Sequence, residues 1–185
     1  MSWTCFVVEK TNKFVESLRR YAGEKKCPGK MTYHNASVKI GVIEWETKWN
    51  GMGDDSFPHD DPRWPKKCDY CDYEFVDEDR WQYNRNIVMR CPKTKRKFTL
   101  DELPAGAMWY DDWWPGEPGP DGKHLYVRLP CGSTWHLDDS RKLWTRTGVP
   151  PLVTASPSIL TPGYHGFLQN GVLTGDLDGG RKYPG

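Results

Sequence analysis

Tyr164–Leu173, YHGFLQNGVL, decides the fold class. Two short apolar runs, Tyr164–Leu168 and Val172–Leu173, are separated by Asn170-Gly171, the dipeptide favoured in a type I′ turn because both central residues need φ > 0. Upstream, His124–Leu129 and Ser133–Leu137 alternate about Cys131-Gly132 and predict a second hairpin. Val38–Trp45 (VKIGVIEW) is β-branched and partly alternating, a strand in which Gly41 marks a bulge or a close backbone approach. Ser2–Val8 reads as a short strand. One helix is expected, capped by Thr11, with Phe14, Val15, Leu18 and Tyr21 at helical spacing and its end at Gly23. The expected class is therefore mostly β, α+β at the N-terminus: small, loop-rich antiparallel sheets, a zinc-knuckle-like module and one short N-terminal helix.

Composition supports a folded, non-membrane protein. Of 185 residues, 10 are Trp, 9 Tyr and 6 Phe, and each aromatic can bury ~150–250 Å², so a core is available although aliphatic residues are scarce. Apolar runs such as Cys5–Val8 and Ala107–Tyr110 fall far short of a membrane span. The N-terminus MSWTCFVVEK has no basic leader followed by a long apolar stretch, which predicts synthesis in the cytoplasm. With 26 basic and 25 acidic residues the net charge is +1, which argues against nucleic acid as a partner, since non-specific binding grows with the phosphates neutralised. Four segments are expected: an N-terminal β-α-β segment over 1–58, a metal-knuckle module over 59–103, a Trp/Pro-rich loop and β-hairpin body over 104–174, and a tail over 175–185. Within the third, 104–122 is expected as an irregular loop pinned by Trp109, Tyr110, Trp113 and Trp114.

Cys68-Asp-Tyr-Cys71 is the sharpest chemical feature. Two thiolates two residues apart at a tight turn can point at one ion while nearby N–H groups stabilise the sulfurs. Zinc ribbons carry a second such pair some 15–20 residues on; here Cys91 arrives at that distance, but Thr94 stands where its partner would be. The site read in this register is Cys68, Cys71 and Cys91, with His59 on the stiff Pro-rich loop as the first choice for the fourth ligand, Cys27 of Cys27-Pro-Gly the second and His34 the third. A closed four-ligand site would be a structural zinc. A redox pair and a disulfide framework are the alternatives for the CxxC; the missing thioredoxin-like βαβ pattern weighs against the first and the missing secretory leader against the second.

No catalytic constellation stands out. His136, Asp138 and Asp139 are near one another in sequence and His165 lies in Tyr164-His-Gly-Phe167, but there is no GxSxG elbow, phosphate-cradling GxxxxGK[ST], dinucleotide GxGxxG or HExxH. The basic run Lys93, Lys95, Arg96 and Lys97 could touch nucleic acid or a partner. Five acidic doublets spread along the chain oppose a larger basic face. Trp113-Trp114 could stack on a sugar or a protein partner.

Taken together, WPKKCDYCDYEF, LPAGAMWYDDWW, GPDGKHLYVRLPCG, TRTGVPPLVTASPSIL and YHGFLQNGVL resemble, in sequence and in order, a group of uncharacterised proteins of tailed bacteriophages and prophages. The likeness runs from about Trp64 to Leu173. Members of that group carry Gly after the second cysteine, where this chain has Asp72, a residue that tolerates left-handed backbone better than most. The resemblance implies a phage context and a knuckle-like turn, with no established activity. With the stiffness and near-zero charge, it leads to a non-enzymatic structural or virion-associated protein (head decoration, vertex or neck) whose partners are copies of itself or a capsid or neck protein. The alternative is a metal-stabilised adaptor in the infected cell that binds nucleic acid or a host protein through Lys93–Lys97.

Overall fold

The computed structural model describes residues 1–29, 32–47, 51–112, 116–138 and 145–175. The expected class holds: the described residues form several small sheets, and their only helical element is a single turn of 3₁₀ helix at Leu100–Glu102. No helix among them is long and apolar enough to cross a membrane.

The chain divides into two compact units, each drawn from separated stretches. One takes Met1–Lys10, Met89–Phe98 and Glu102–Gly185; the other takes Thr11–Val88 and Thr99–Asp101. The stretch 59–103 is thus shared between them.

The Thr11–Val88 unit is built on β3 (Glu9–Lys26), β4 (Tyr33–Glu44), β5 (Gly51–Asp54) and β6 (Arg80–Arg90), in the order β4-β3-β6-β5, with β7 (Lys97–Thr99) pairing with β6. The expected N-terminal helix is a correction: its residues lie within β3, which pairs antiparallel with β4 from Lys13↔Glu44 to Lys26↔Tyr33. The physical reason is the spacing itself. Phe14 and Leu18, both fully buried, are four apart, close to one helical turn but also two strand repeats. Arg20 and Ala22 continue the two-residue alternation on the buried face, whereas Val15 and Tyr21 are only half buried. The ladder to β4 settles the ambiguity, a tertiary override of local propensity. Gly41 sits where a bulge is expected, opposite Glu16, with the register slipping at the next pair, Ser17↔Lys39. Leu18, Trp64 and Tyr83 form a core closed by Val38, Ile40, Phe57 and Trp81.

The other unit packs two sheets. One is β1 (Trp3–Thr4), β14 (Val172–Leu173), β13 (Tyr164–Gln169), β12 (Leu152–Thr161) and β11 (Thr145–Val149) in that order; the other is β10 (Thr134–His136), β9 (Leu125–Arg128), β8 (Ala107–Tyr110) and β2 (Phe6–Val7). All pairings are antiparallel except β2 with β8. Met108, Leu125 and Val127 from the smaller sheet and Ile159, Leu168 and Leu173 from the larger one share one core. Both expected hairpins are present, and Asn170 (φ 45°) and Gly171 (φ 75°) supply the two positive φ values of the type I′ turn. Part of the expected 104–122 loop is strand β8, whose Trp109 is buried in a stack on Tyr126. Arg146 is buried with Asp138 (2.8 Å) and reaches Asp121 (2.7 Å).

Candidate metal centre

Two turns of the Thr11–Val88 unit meet. The first links β3 to β4, with Cys27 just past the end of β3, its N–H donating to the Thr32 carbonyl (2.8 Å), and buried His34 near the start of β4. The second is the Cys68–Cys71 knuckle, closed by the Lys67↔Glu74 bridge and by the Cys68 N–H to the Tyr73 carbonyl (2.9 Å). They are tied by the Asp69 N–H to the Asn35 carbonyl (3.0 Å) and by the Ser37 N–H to an Asp69 carboxylate oxygen (3.2 Å). Gly29 permits the approach, since a Cβ there would overlap the Tyr70 carbonyl.

The result is a cluster of three sulfurs and one imidazole nitrogen, all within 4.8 Å of one another, that could hold a metal ion. Cys27 Sγ lies 3.8 Å from Cys68 Sγ and 3.6 Å from Cys71 Sγ, and Cys71 Sγ lies 3.2 Å from His34 Nδ1. A tetrahedral ion about 2.3 Å from each sulfur requires S···S edges of about 3.8 Å, whereas a disulfide requires about 2.05 Å; all of these cysteines are free thiols. The His34 ring is fixed by stacking on Tyr73 (4.0 Å, 10° between planes).

Electrostatics favour a thiolate at one position. Burial pushes the Cys68 thiol up, but N–H groups of Asn35 and Tyr70, then His34 and Cys27, hydrogen-bond the sulfur and bring it down to about 6. For Cys71 the Tyr73 N–H acts downward, yet burial and the adjacent Cys27 and Cys68 sulfurs together raise it. Three sulfurs this close share their negative charge poorly without a cation.

Two residues of the expected set lie elsewhere. His59 is half exposed, paired with the Asp55 carboxylate and stacked on Trp81 (4.3 Å), outside the cluster. Its loop carries it to the Trp64–Trp81 face instead, where the ring buries apolar area. Cys91 is buried in the other unit. The Thr94 hydroxyl donates to its sulfur, as do the N–H groups of Thr94 and Lys93, and its pKa is lowered by them; the threonine in the second knuckle position satisfies the thiol locally. Cys27 and His34, ranked behind them in the sequence, complete the cluster. The signal that would have found them is the β3–β4 hairpin, in which Cys27 directly follows Lys26 and His34 directly follows its partner Tyr33; reading β3 as a helix concealed it.

Lys93, Lys95 and Arg96 stand exposed on the β6–β7 turn, with Lys97 opening β7 and the Arg96 guanidinium over Phe98 (5.2 Å). Trp113, Trp114 and Asp139 lie outside the described residues. His124 Nδ1 and His136 Nε2 are 3.2 Å apart, and Asp138 is taken up by Arg146 and by the Leu125 N–H (2.8 Å). His165 Nε2 lies 3.2 Å from the Ser158 hydroxyl.

No family model, curated protein or solved structure matches this chain.

Proposed function

We propose that this chain is a non-enzymatic, virion-associated structural protein of a tailed bacteriophage, a head-decoration, vertex or neck component, whose Thr11–Val88 unit is pinned by one structural zinc ion. The observation that carries the reading is the complete Cys27–His34–Cys68–Cys71 donor set. Three thiolates and an imidazole suit zinc, and four protein ligands leave no position for water or substrate, which is the arrangement of structural sites and not of catalytic ones. Such an ion replaces core in a unit whose loops between Gly51 and Asp79 carry little aliphatic surface. The phage context rests on the likeness of the Trp64–Leu173 motifs to the phage and prophage group.

Elemental analysis of the native protein tests the first half: one zinc per chain is expected, and no zinc with Cys68 and Cys71 disulfide-linked would overturn it. Mass spectrometry of purified particles of the encoding phage tests the second, with the chain expected at a fixed copy number per particle; its absence would end the structural reading. The exposed basic turn Lys93–Lys97 supports the adaptor alternative, for which a salt titration of DNA and RNA binding is decisive: no measurable affinity at low salt removes it.

A further inference from the structure

We propose that the outward face of the sheet β1-β14-β13-β12-β11 is a self-association surface, on which a second copy of this chain packs through the same face. This goes beyond the zinc and virion readings and depends on neither.

The face is defined by strand alternation. Val153, Ala155, Ile159 and Leu168 are buried beneath the sheet, so their neighbours along β12 and β13 point outward. There Leu160 is 50% exposed, Leu152 61% and Phe167 37%, and Val149, paired with Leu152, is 77% exposed. The remaining outward positions of these strands are Thr, Ser, Gln, Val, Pro and one His. None is Lys, Arg, Asp or Glu, although these residues make up 28% of the chain; the only charged residue in the five strands, Arg146, points inward and is buried. Interspersed surface charges are what normally keep copies of a chain apart.

Part of the polar surface of this face is engaged within the sheet. His165 and Ser158 bond each other, the Thr154 hydroxyl accepts from the Asn170 N–H (2.9 Å), and the Thr174 hydroxyl accepts from the Phe167 N–H (2.8 Å). Covering these particular groups therefore carries a small desolvation cost.

Two further arguments point to a second copy as the occupant. A two-fold interface sets a surface against itself, so a face without charge places no like charges in opposition. Its extent fits a weak contact. The 25 residues of the five strands, at about 16 Å² each, give a face of about 400 Å² per copy. A pair then buries about 800 Å², the scale of weak, transient association. The result is a reversible dimer that tightens wherever copies are held close together.

Sedimentation velocity of the full-length, zinc-replete protein from low micromolar to several hundred micromolar tests this. A monomer–dimer equilibrium is expected that persists in high salt, since no charges cross the face, with amide exchange over 152–169 slowing as concentration rises. Leu160→Glu and Thr147→Lys should each raise the dissociation constant by at least about ten-fold, while Val42→Glu, in the other unit at a 63% exposed position, leaves it unchanged. Leu160→Glu and Thr147→Lys are scored only when they match the wild type in zinc content and unfolding midpoint. A wild-type chain that stays monomeric throughout overturns the proposal, whatever else it binds. So does association abolished by salt, or a correctly folded Leu160→Glu variant that associates like the wild type.

Discussion

The four donor residues and the two that lie apart from them differ in what surrounds each side chain. Cys91 has its sulfur satisfied by Thr94 and local N–H groups, and His59 has a carboxylate and an indole face, so neither needs an ion. Cys27, His34, Cys68 and Cys71 have mainly one another. Cys27→Ser and His34→Ala are expected to abolish stoichiometric zinc binding and to destabilise the Thr11–Val88 unit by several kcal/mol, on the order of what structural zinc contributes to small domains. Cys91→Ser should leave zinc content at the wild-type value; elemental analysis with thermal unfolding reads both. In the other unit Arg146 bridges Asp138 and Asp121, and Arg146→Met leaves Asp138 buried without its partner, an expected loss of about 3–5 kcal/mol in urea unfolding. Hydrogen bonds from Arg146 hold the Asp121 carboxyl well below the usual carboxylate range, burial opposing and the Tyr110 hydroxyl assisting. A carboxyl depressed on folding contributes stability that is complete above the ordinary Asp pKa of about 3.9 and fades as pH falls below it. Unfolding midpoints should therefore drop below about pH 4, and less steeply in Arg146→Met.

At the scale of elements, the centre exists because two tight turns touch. One ends the long strand β3 and the other is a knuckle flanked only by the single Lys67↔Glu74 bridge, so neither turn fixes four ligands alone. Gly29 is a point of close approach, and a methyl group there meets backbone, the Tyr70 carbonyl, which cannot rotate away as a side chain can. Gly29→Ala is expected to part the turns and weaken zinc affinity by at least about ten-fold, of the order seen when the supports of metal ligands are removed, while all four ligands remain in the sequence; competition with a chromophoric chelator measures it. The same element explains what could be read in advance. The Asn170-Gly171 and Cys131-Gly132 hairpins are local, each written in a few consecutive residues. The β3–β4 hairpin depends on pairing over many residues, and its apolar spacing of four satisfies both periodicities.

For the molecule as a whole, the division into two units predicts where removal of the proposed zinc ion would be felt. All four donors lie in the Thr11–Val88 unit, and the other unit has a core of its own from two packed sheets. Chelation should accelerate amide exchange across 11–44 and 64–88 and leave 152–173 near its holo rate; equal acceleration in both would show that the ion stabilises the whole chain as one cooperative block.

The sequence by itself determined the β class, the two short hairpins, the knuckle at Cys68 and Cys71, and the need for further soft ligands, because each of these is carried by neighbouring residues through turn chemistry, alternation or thiol spacing. Cys27 and His34, which complete the Cys/His cluster, were also among its candidates. Only the tertiary structure decided between Cys27 with His34 and Cys91 with His59, since that choice is made by which turns are brought within about 4 Å, a distance set by the β3–β4 ladder and the Gly29 contact and not by separation along the chain. The uncharged outer face of the larger sheet has the same origin: its residues come from five strands, and their shared lack of charge becomes a surface only when the strands are laid side by side.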